Sequence, residues 1–61
     1  MCMSTVYRKE VADNNILVKN VRAIRADGDK LVLTDIMERE TVLEGKLVLA
    51  DLINGVVIVD C

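Results

Sequence analysis

Two turn signals divide the apolar part of this chain into short strands. Asp27-Gly28-Asp29 and Asn54-Gly55 both favour tight β-hairpins, because these residues readily supply the positive φ angles that such turns require. The runs that flank them, residues 30–36, 46–53 and 56–59, are rich in valine, leucine and isoleucine. The pattern therefore predicts an all-β fold.

Further apolar segments lie on both sides of a turn cluster at residues 12–15. Residues 3–9 contain several β-forming side chains and predict a first strand. Residues 16–18 form a short apolar run, and residues 21–26 alternate between two faces as a strand does. The first half of the chain thus adds strands to those around the two turns.

Residues 35–44 are compatible with two structures. Asp35 can cap a single helical turn, or the chain can bend and continue as a strand over residues 40–43, which is the favoured interpretation. Five or six short strands with tight turns predict a small, highly curved antiparallel barrel, and an SH3-like barrel suits the length. An open meander completed by a partner is the alternative.

The size of the chain indicates self-association. Its 61 residues predict a single domain over residues 1–61, and 52% of them are hydrophobic. A domain of about 60 residues buries only about 60% of the surface that its unfolded chain exposes. Small domains recover stability through disulfides, metals or oligomers. Because two cysteines and no histidine exclude the common zinc frameworks, the aliphatic excess predicts a homodimer.

Composition argues against three classes of function. The net charge is −2 and Tyr7 is the single aromatic residue, whereas nucleic-acid binders present basic faces and stacking rings. Without histidine the cysteines lack the usual catalytic base, and no phosphate-binding loop occurs, so an enzyme is not expected. No signal peptide and no apolar run of about 20 residues is present, which predicts a cytoplasmic protein without a membrane partner.

The segment Met1-Cys2-Met3 is the candidate metal site. A thiol at position 2 is poorly placed for core packing, because chain termini are usually frayed and solvated. A nitrogen donor lies within one residue of the Cys2 sulfur, so both can chelate one ion of nickel, copper or zinc. An ordinary reduced thiol is the alternative. Cys61 is expected to be a dispensable free thiol, near Cys2 only if the first and last strands pair antiparallel.

Three segments carry a resemblance to a known family: Met1-Cys2-Met3-Ser4, Asp27-Gly28-Asp29 and Asp51-Leu52-Ile53-Asn54-Gly55-Val56-Val57. Together they resemble the CooT family, small nickel-binding accessory proteins for maturation of nickel-iron carbon monoxide dehydrogenase. The resemblance implies an SH3-like barrel that forms a homodimer. It also implies one nickel ion held at the dimer interface through Cys2, and the dehydrogenase or its maturation factors as partners.

A two-fold dimer would present Cys2 twice, so that two thiolates and two nitrogens can surround nickel(II) in a plane, whereas zinc prefers a tetrahedron. Cys61 is not part of the family pattern. The alternative function is a small SH3-like or Sm-like RNA-binding module. It would require the basic side chains of one region to gather on one side: Lys19, Arg22, Arg25 and Lys30.

Overall fold

Six strands with short connections make up the chain. The computed structural model describes residues 3–61. The strands are β1 (Ser4–Arg8), β2 (Ile16–Asp27), β3 (Lys30–Asp35), β4 (Glu40–Glu44), β5 (Lys46–Asp51) and β6 (Val56–Asp60), and a 3-10 turn spans Asp13–Asn15. The all-β prediction is confirmed, including the strand favoured at residues 40–43, which is β4.

The strands form one sheet in the order β4-β3-β2-β1-β6-β5. Neighbouring strands run antiparallel except β1 and β6, which run parallel. The two edge strands, β4 and β5, are separated in sequence by Gly45 alone, so the sheet must curl until its edges meet at this residue. Over residues 3–61 the sheet is not closed. The SH3-like barrel and the homodimer therefore remain predictions.

Gly45 allows the chain to turn a corner from β4 into β5, the two edge strands of the sheet. A Cβ atom at this position would collide with the carbonyl oxygen of Asp60 and would stand 2.8 Å from the Cβ of Cys61. The Gly45 amide donates a hydrogen bond of 3.1 Å to the carbonyl oxygen of Asp29. The corner is thus held between the β2–β3 hairpin and the end of β6.

The core lies inside the curl of the sheet. Successive residues of β1 and β6 alternate between buried and half-buried, as expected for strands with one face on a core. Strand β3, which lies next to the edge strand β4, is buried at three consecutive positions. The cluster consists of Val6, Val21, Leu31, Leu33, Val57 and Val59. Small as it is, this core ties β1, β2, β3 and β6 together.

The segments predicted at residues 16–18 and 21–26 are one strand. They join as β2, which bends at Asn20, where φ is +60°. At the far end of β2 the predicted hairpin is confirmed: Asp27 pairs with Lys30, and Gly28 has a φ of +62°. Positive φ at the first residue of a two-residue loop is the conformation that favours glycine in such hairpins.

Asp35 organises the loop between β3 and β4. Its Oδ1 atom accepts hydrogen bonds from the amides of Met37 at 2.9 Å and Arg39 at 3.0 Å. Its Oδ2 atom accepts one from Nε of Arg39 at 2.9 Å. These bonds lower the pKa of the Asp35 carboxyl group, with the Arg39 amide as the largest cause. The side chain thus caps a turn between two strands.

Candidate functional site

The start of β1 fixes the place where the predicted metal ligand joins the fold. Cys2 itself lies outside the described residues, so its metal binding stays a prediction. The next residue, Met3, precedes β1 directly. The Thr5 amide donates a hydrogen bond of 2.8 Å to the carbonyl oxygen of Gly55. The entry of the chain into the sheet therefore lies against the loop between β5 and β6.

Asp51 and Asn54 build that loop. Asp51 Oδ1 accepts a hydrogen bond of 3.2 Å from the Asn54 amide, and Oδ2 accepts one of 2.8 Å from Nδ2 of Asn54. The Asn54 side chain is the largest cause of the lowered pKa of Asp51. The strand predicted over residues 46–53 was therefore too long: it ends at Asp51, because this side chain turns the chain instead.

Leu52 and Ile53 are presented to solvent by the loop. Their side chains are 66% and 89% exposed, and that of Met3 is 50% exposed. We call Met3, Leu52 and Ile53 the amino-terminal patch. Isolated exposed apolar residues are common on proteins, but adjacent ones beside a predicted ligand indicate a contact surface.

An apolar groove adjoins the amino-terminal patch. It has a volume of about 390 Å³ and is lined mainly by residues of β2 and β5. Ser4, at the start of β1, belongs to its lining. The main apolar side chains are Val21, Ile24 and Leu31 on one side and Leu47, Ala50 and Leu52 on the other. Because Leu52 belongs to both, patch and groove form one continuous apolar surface.

Cys61 lies at the other end of the β1–β6 pair. The two strands run parallel, with Thr5 opposite Val56 and Arg8 opposite Val59. Cys61 follows β6 as a free, exposed thiol, and its carbonyl oxygen accepts a hydrogen bond of 3.3 Å from Nε of Arg8. The antiparallel pairing of first and last strands that would bring Cys61 toward the amino terminus is thus not the one formed.

Two ion pairs within residues 3–61 involve four of the charged side chains. Arg22 and Glu38 form a two-pronged ion pair, with Nε–Oε2 and Nη2–Oε1 distances of 2.8 and 2.7 Å. The pair raises the pKa of Arg22 and lowers that of Glu38, chiefly through the hydrogen bond. Arg39 pairs with Asp35. Part of the basic charge that RNA binding would need is therefore already paired.

Two further kinds of feature are absent from residues 3–61. No group of three or more histidine, cysteine, aspartate or glutamate side chains in this range is arranged to hold a metal ion. No helix in the same range is long and apolar enough to cross a membrane.

Comparison with known proteins identifies the family. The model of the family "CO dehydrogenase accessory protein CooT" matches residues 1–60. The chain belongs to the CooT family. The match includes Cys2 and all six strands, and it confirms the resemblance carried by the amino-terminal and turn segments. CooT is a family of accessory proteins for CO dehydrogenase, which favours a role other than catalysis.

Among solved structures, the chain resembles a crystal structure of a CooT candidate from Carboxydothermus hydrogenoformans. The TM-score is 0.83 at 14% sequence identity, with 97% of this chain and 95% of that chain covered. At this identity the likeness shows that the CooT fold is shared and no more. No curated protein matches the chain.

The amino-terminal patch is the feature that sequence reasoning missed. The apolar run at residues 46–53 predicts a strand that includes Leu52 and Ile53. A signal was available: an aspartate three residues before Asn-Gly favours a turn closed by the aspartate side chain. That signal ends the strand at Asp51 and leaves the two apolar residues in the loop.

Proposed function

We propose that this CooT family member binds one nickel ion per homodimer through Cys2 of both copies. Each copy is an SH3-like barrel, and the dimer works in the cytoplasm as a metallochaperone or nickel store for maturation of nickel-iron carbon monoxide dehydrogenase. The observation that carries the proposal is the family match over residues 1–60, which includes Cys2.

The donor set suits nickel(II). Each copy offers one thiolate and a nitrogen, either the terminal amine or a backbone amide, within one residue of the sulfur. Two such pairs in a plane satisfy nickel(II), while copper would bind the same donors tightly. Selectivity for nickel therefore has to come from delivery. Two thiolates neutralise one divalent ion, so the site requires no carboxylate if the nitrogens stay neutral.

The fold supports Cys2 rather than Cys61 as the shared ligand. Cys2 precedes the end of the sheet that carries the amino-terminal patch, where a second copy can shield a metal from water. Cys61 follows the other end of the β1–β6 pair, beside Gly45 and Arg8. A dimer formed around one of these ends leaves the other sulfur remote from the axis.

The test is a parallel nickel titration of the unmodified protein, Cys2→Ser and Cys61→Ser. Thiolate-to-nickel charge transfer gives an absorbance signal that reports sulfur ligation. We expect one tight nickel per dimer for the unmodified protein and for Cys61→Ser, and loss of tight binding for Cys2→Ser, because a serine hydroxyl does not ionise at neutral pH. Affinity should also fall as the pH drops, since both thiols must lose protons to bind.

Two results would overturn the proposal. One is a Cys2→Ser variant that keeps one tight nickel per dimer. The other is loss of nickel binding in Cys61→Ser, which would identify the carboxyl-terminal sulfur as the ligand.

A further inference from the structure

Asn54 and Gly55 form the one asparagine–glycine pair of the chain. We propose that Asn54 is a site of spontaneous deamidation, and that the Asp51 carboxylate slows the reaction by holding the Asn54 side chain. The reaction needs water as its only co-reactant and uses no metal ligand. The proposal is therefore independent of nickel binding.

The reaction uses the backbone nitrogen that follows Asn54. The amide nitrogen of Gly55 loses its proton and attacks Cγ of Asn54, which closes a five-membered cyclic imide. The bond between Cγ and Nδ2 breaks, and the side-chain nitrogen leaves with the proton as ammonia. Water then opens the ring at either of its two carbonyl groups and gives aspartate or isoaspartate. No oxidant or reductant takes part, and asparagine is one of the thermolabile side chains.

The position of Asn54 favours this reaction. It is exposed and lies in the loop between β5 and β6, outside the strands. Glycine follows it, and because glycine has no Cβ, it hinders the approach of Cγ to the backbone nitrogen least. The other three asparagines, Asn14, Asn15 and Asn20, are each followed by a bulkier residue. Asn54 should therefore react first.

Asn20 provides a comparison within the same molecule. It is also exposed, and it lies at the bend of β2 with a φ of +60°. The residue that follows it, Val21, is β-branched and only 3% exposed. Packing of Val21 in the core thus restrains the nitrogen that would attack Asn20. Exposure alone does not distinguish the two asparagines, whereas the residue that follows each of them does.

Asp51 restrains the Asn54 side chain. Nδ2 of Asn54 donates a hydrogen bond of 2.8 Å to Oδ2 of Asp51, and the Asn54 amide donates one of 3.2 Å to Oδ1. Ring closure requires Cγ of Asn54 to turn toward Gly55 and Nδ2 to leave, so the shorter bond must break. Loss of one hydrogen bond to a charged group corresponds to a change of about tenfold in rate.

Deamidation would alter the loop that contacts the start of β1. Either product replaces the donor Nδ2 by a carboxylate oxygen, which places a second negative charge beside Asp51. Isoaspartate also adds one carbon atom to the backbone before Gly55. The carbonyl oxygen of Gly55 accepts the hydrogen bond of 2.8 Å from Thr5. The change should therefore weaken the attachment of the loop to β1.

The experiment incubates the folded, unmodified protein at mildly alkaline pH and follows each asparagine by peptide mass spectrometry. Tryptic cleavage after Lys46 separates Asn54 from the other asparagines. We expect Asn54 to convert while Asn20 stays unchanged, with isoaspartate detected by an isoaspartyl methyltransferase. Asn54→Gln is the control and should not convert, because glutamine would have to close a less favourable six-membered ring. Equal rates at Asn54 and Asn20 would overturn the proposal.

Asp51→Ala tests the restraint. Its Asn54 should convert about tenfold faster, while Asn20 keeps its rate. If Asn20 also accelerates, the variant is unfolded. Asp51→Ser then takes its place, because a serine hydroxyl can still accept the bond from the Asn54 amide. An unchanged rate at Asn54 in the folded variant would show that Asp51 does not protect it.

Asn54→Asp tests the effect of the product on the loop. It should unfold at a lower urea concentration than Asn54→Ala, which loses the same side-chain hydrogen bond without adding a charge. Equal midpoints would show that the second carboxylate does not disturb the loop.

Discussion

The backbones of Gly55 and Met3 lie in close contact. A Cβ atom on Gly55 would stand 3.1 Å from the Met3 carbonyl oxygen, tighter than ordinary van der Waals contact. Gly55 also has a φ of +70°, a conformation that side chains disfavour. The loop after β5 is thus in contact with Met3 at Gly55, a position that only glycine can occupy without strain.

Gly55→Ala should weaken nickel binding as well as the fold. The added methyl group must push the Met3 carbonyl group away and move the residues that precede it. The positive φ alone costs about 1–2 kcal/mol of the free energy of unfolding. Nickel titration and denaturant unfolding of the variant measure the two effects.

Gly28→Ala provides the control for Gly55→Ala. Gly28 has a similar φ of +62°, but a Cβ there meets no atom within 4 Å. Gly28→Ala should therefore lose about as much stability through its positive φ as Gly55→Ala does, but it should keep the nickel affinity of the unmodified protein. Equal nickel affinities in the two variants would show that the Gly55–Met3 contact does not matter to the metal site.

Gly45→Ala should destabilise the protein by about 1–3 kcal/mol, the usual cost of forcing extra atoms into a packed site. The new methyl group would meet Asp60 and Cys61, so the corner between the sheet edges would have to open. Glu44→Ala, at the exposed neighbouring position, should change stability by no more than about 0.5 kcal/mol. Urea unfolding of both variants is the measurement, and equal midpoints would contradict the role of the corner.

Asp35→Asn should reduce stability at neutral pH and flatten its acid dependence. The pKa of Asp35 is lowered in the fold, first by the Arg39 amide. Its ionised form therefore stabilises the protein above the ordinary aspartate pKa of about 3.9, and this contribution disappears as the pH falls through the lowered value.

Thermal unfolding at pH 7 and pH 3 tests the role of Asp35. The difference between the two midpoints should be smaller for Asp35→Asn than for the unmodified protein. Asp13→Asn, at an exposed aspartate in the 3-10 turn, is the control and should behave like the unmodified protein. An unchanged pH difference in Asp35→Asn would show that its hydrogen bonds do not stabilise the charged form.

Nucleic acid should not bind tightly at physiological salt. Phosphate contacts dominate such binding and weaken steeply with salt, while this chain has a net charge of −2 and Arg22 is paired with Glu38. Fluorescence anisotropy with a labelled single-stranded RNA, at low and physiological salt, is the measurement. Tight binding that persists at physiological salt would favour the RNA-binding alternative.

Local sequence signals predicted most of the strands correctly. Valine and leucine runs, together with the Gly28 turn, placed β3, β4 and β6 to within a residue or two, because each signal acts over a few neighbours. The error at Leu52 and Ile53 arose where an apolar run competed with the side chain of Asp51. The hydrogen bonds that Asn54 donates to the Asp51 carboxylate stabilise the turn, so the strand ends at Asp51.

Outside the hairpins, the sequence did not predict which strands pair, nor that one pair would run parallel. Whether the last strand runs parallel or antiparallel to β1 depends on how the whole sheet curls, and no local pattern encodes it. The closeness of Gly55 to Met3 follows from that parallel pairing. The candidate ligand was visible in the sequence, but the surface beside it emerged only from the assembled sheet.

The position of β1 has a consequence for the order of events in folding. Of the six strands β1 is the first to be made, yet it lies inside the sheet with β2 on one side and β6 on the other. Arg8 even reaches Cys61 across 53 residues of sequence. Until β6 has been made, the Val6 side chain, which is fully buried in the fold, lacks the packing that Val57 and Val59 provide. Because these contacts join residues that are distant in sequence, folding should be slow for a chain of this size and should wait until β6 has been made.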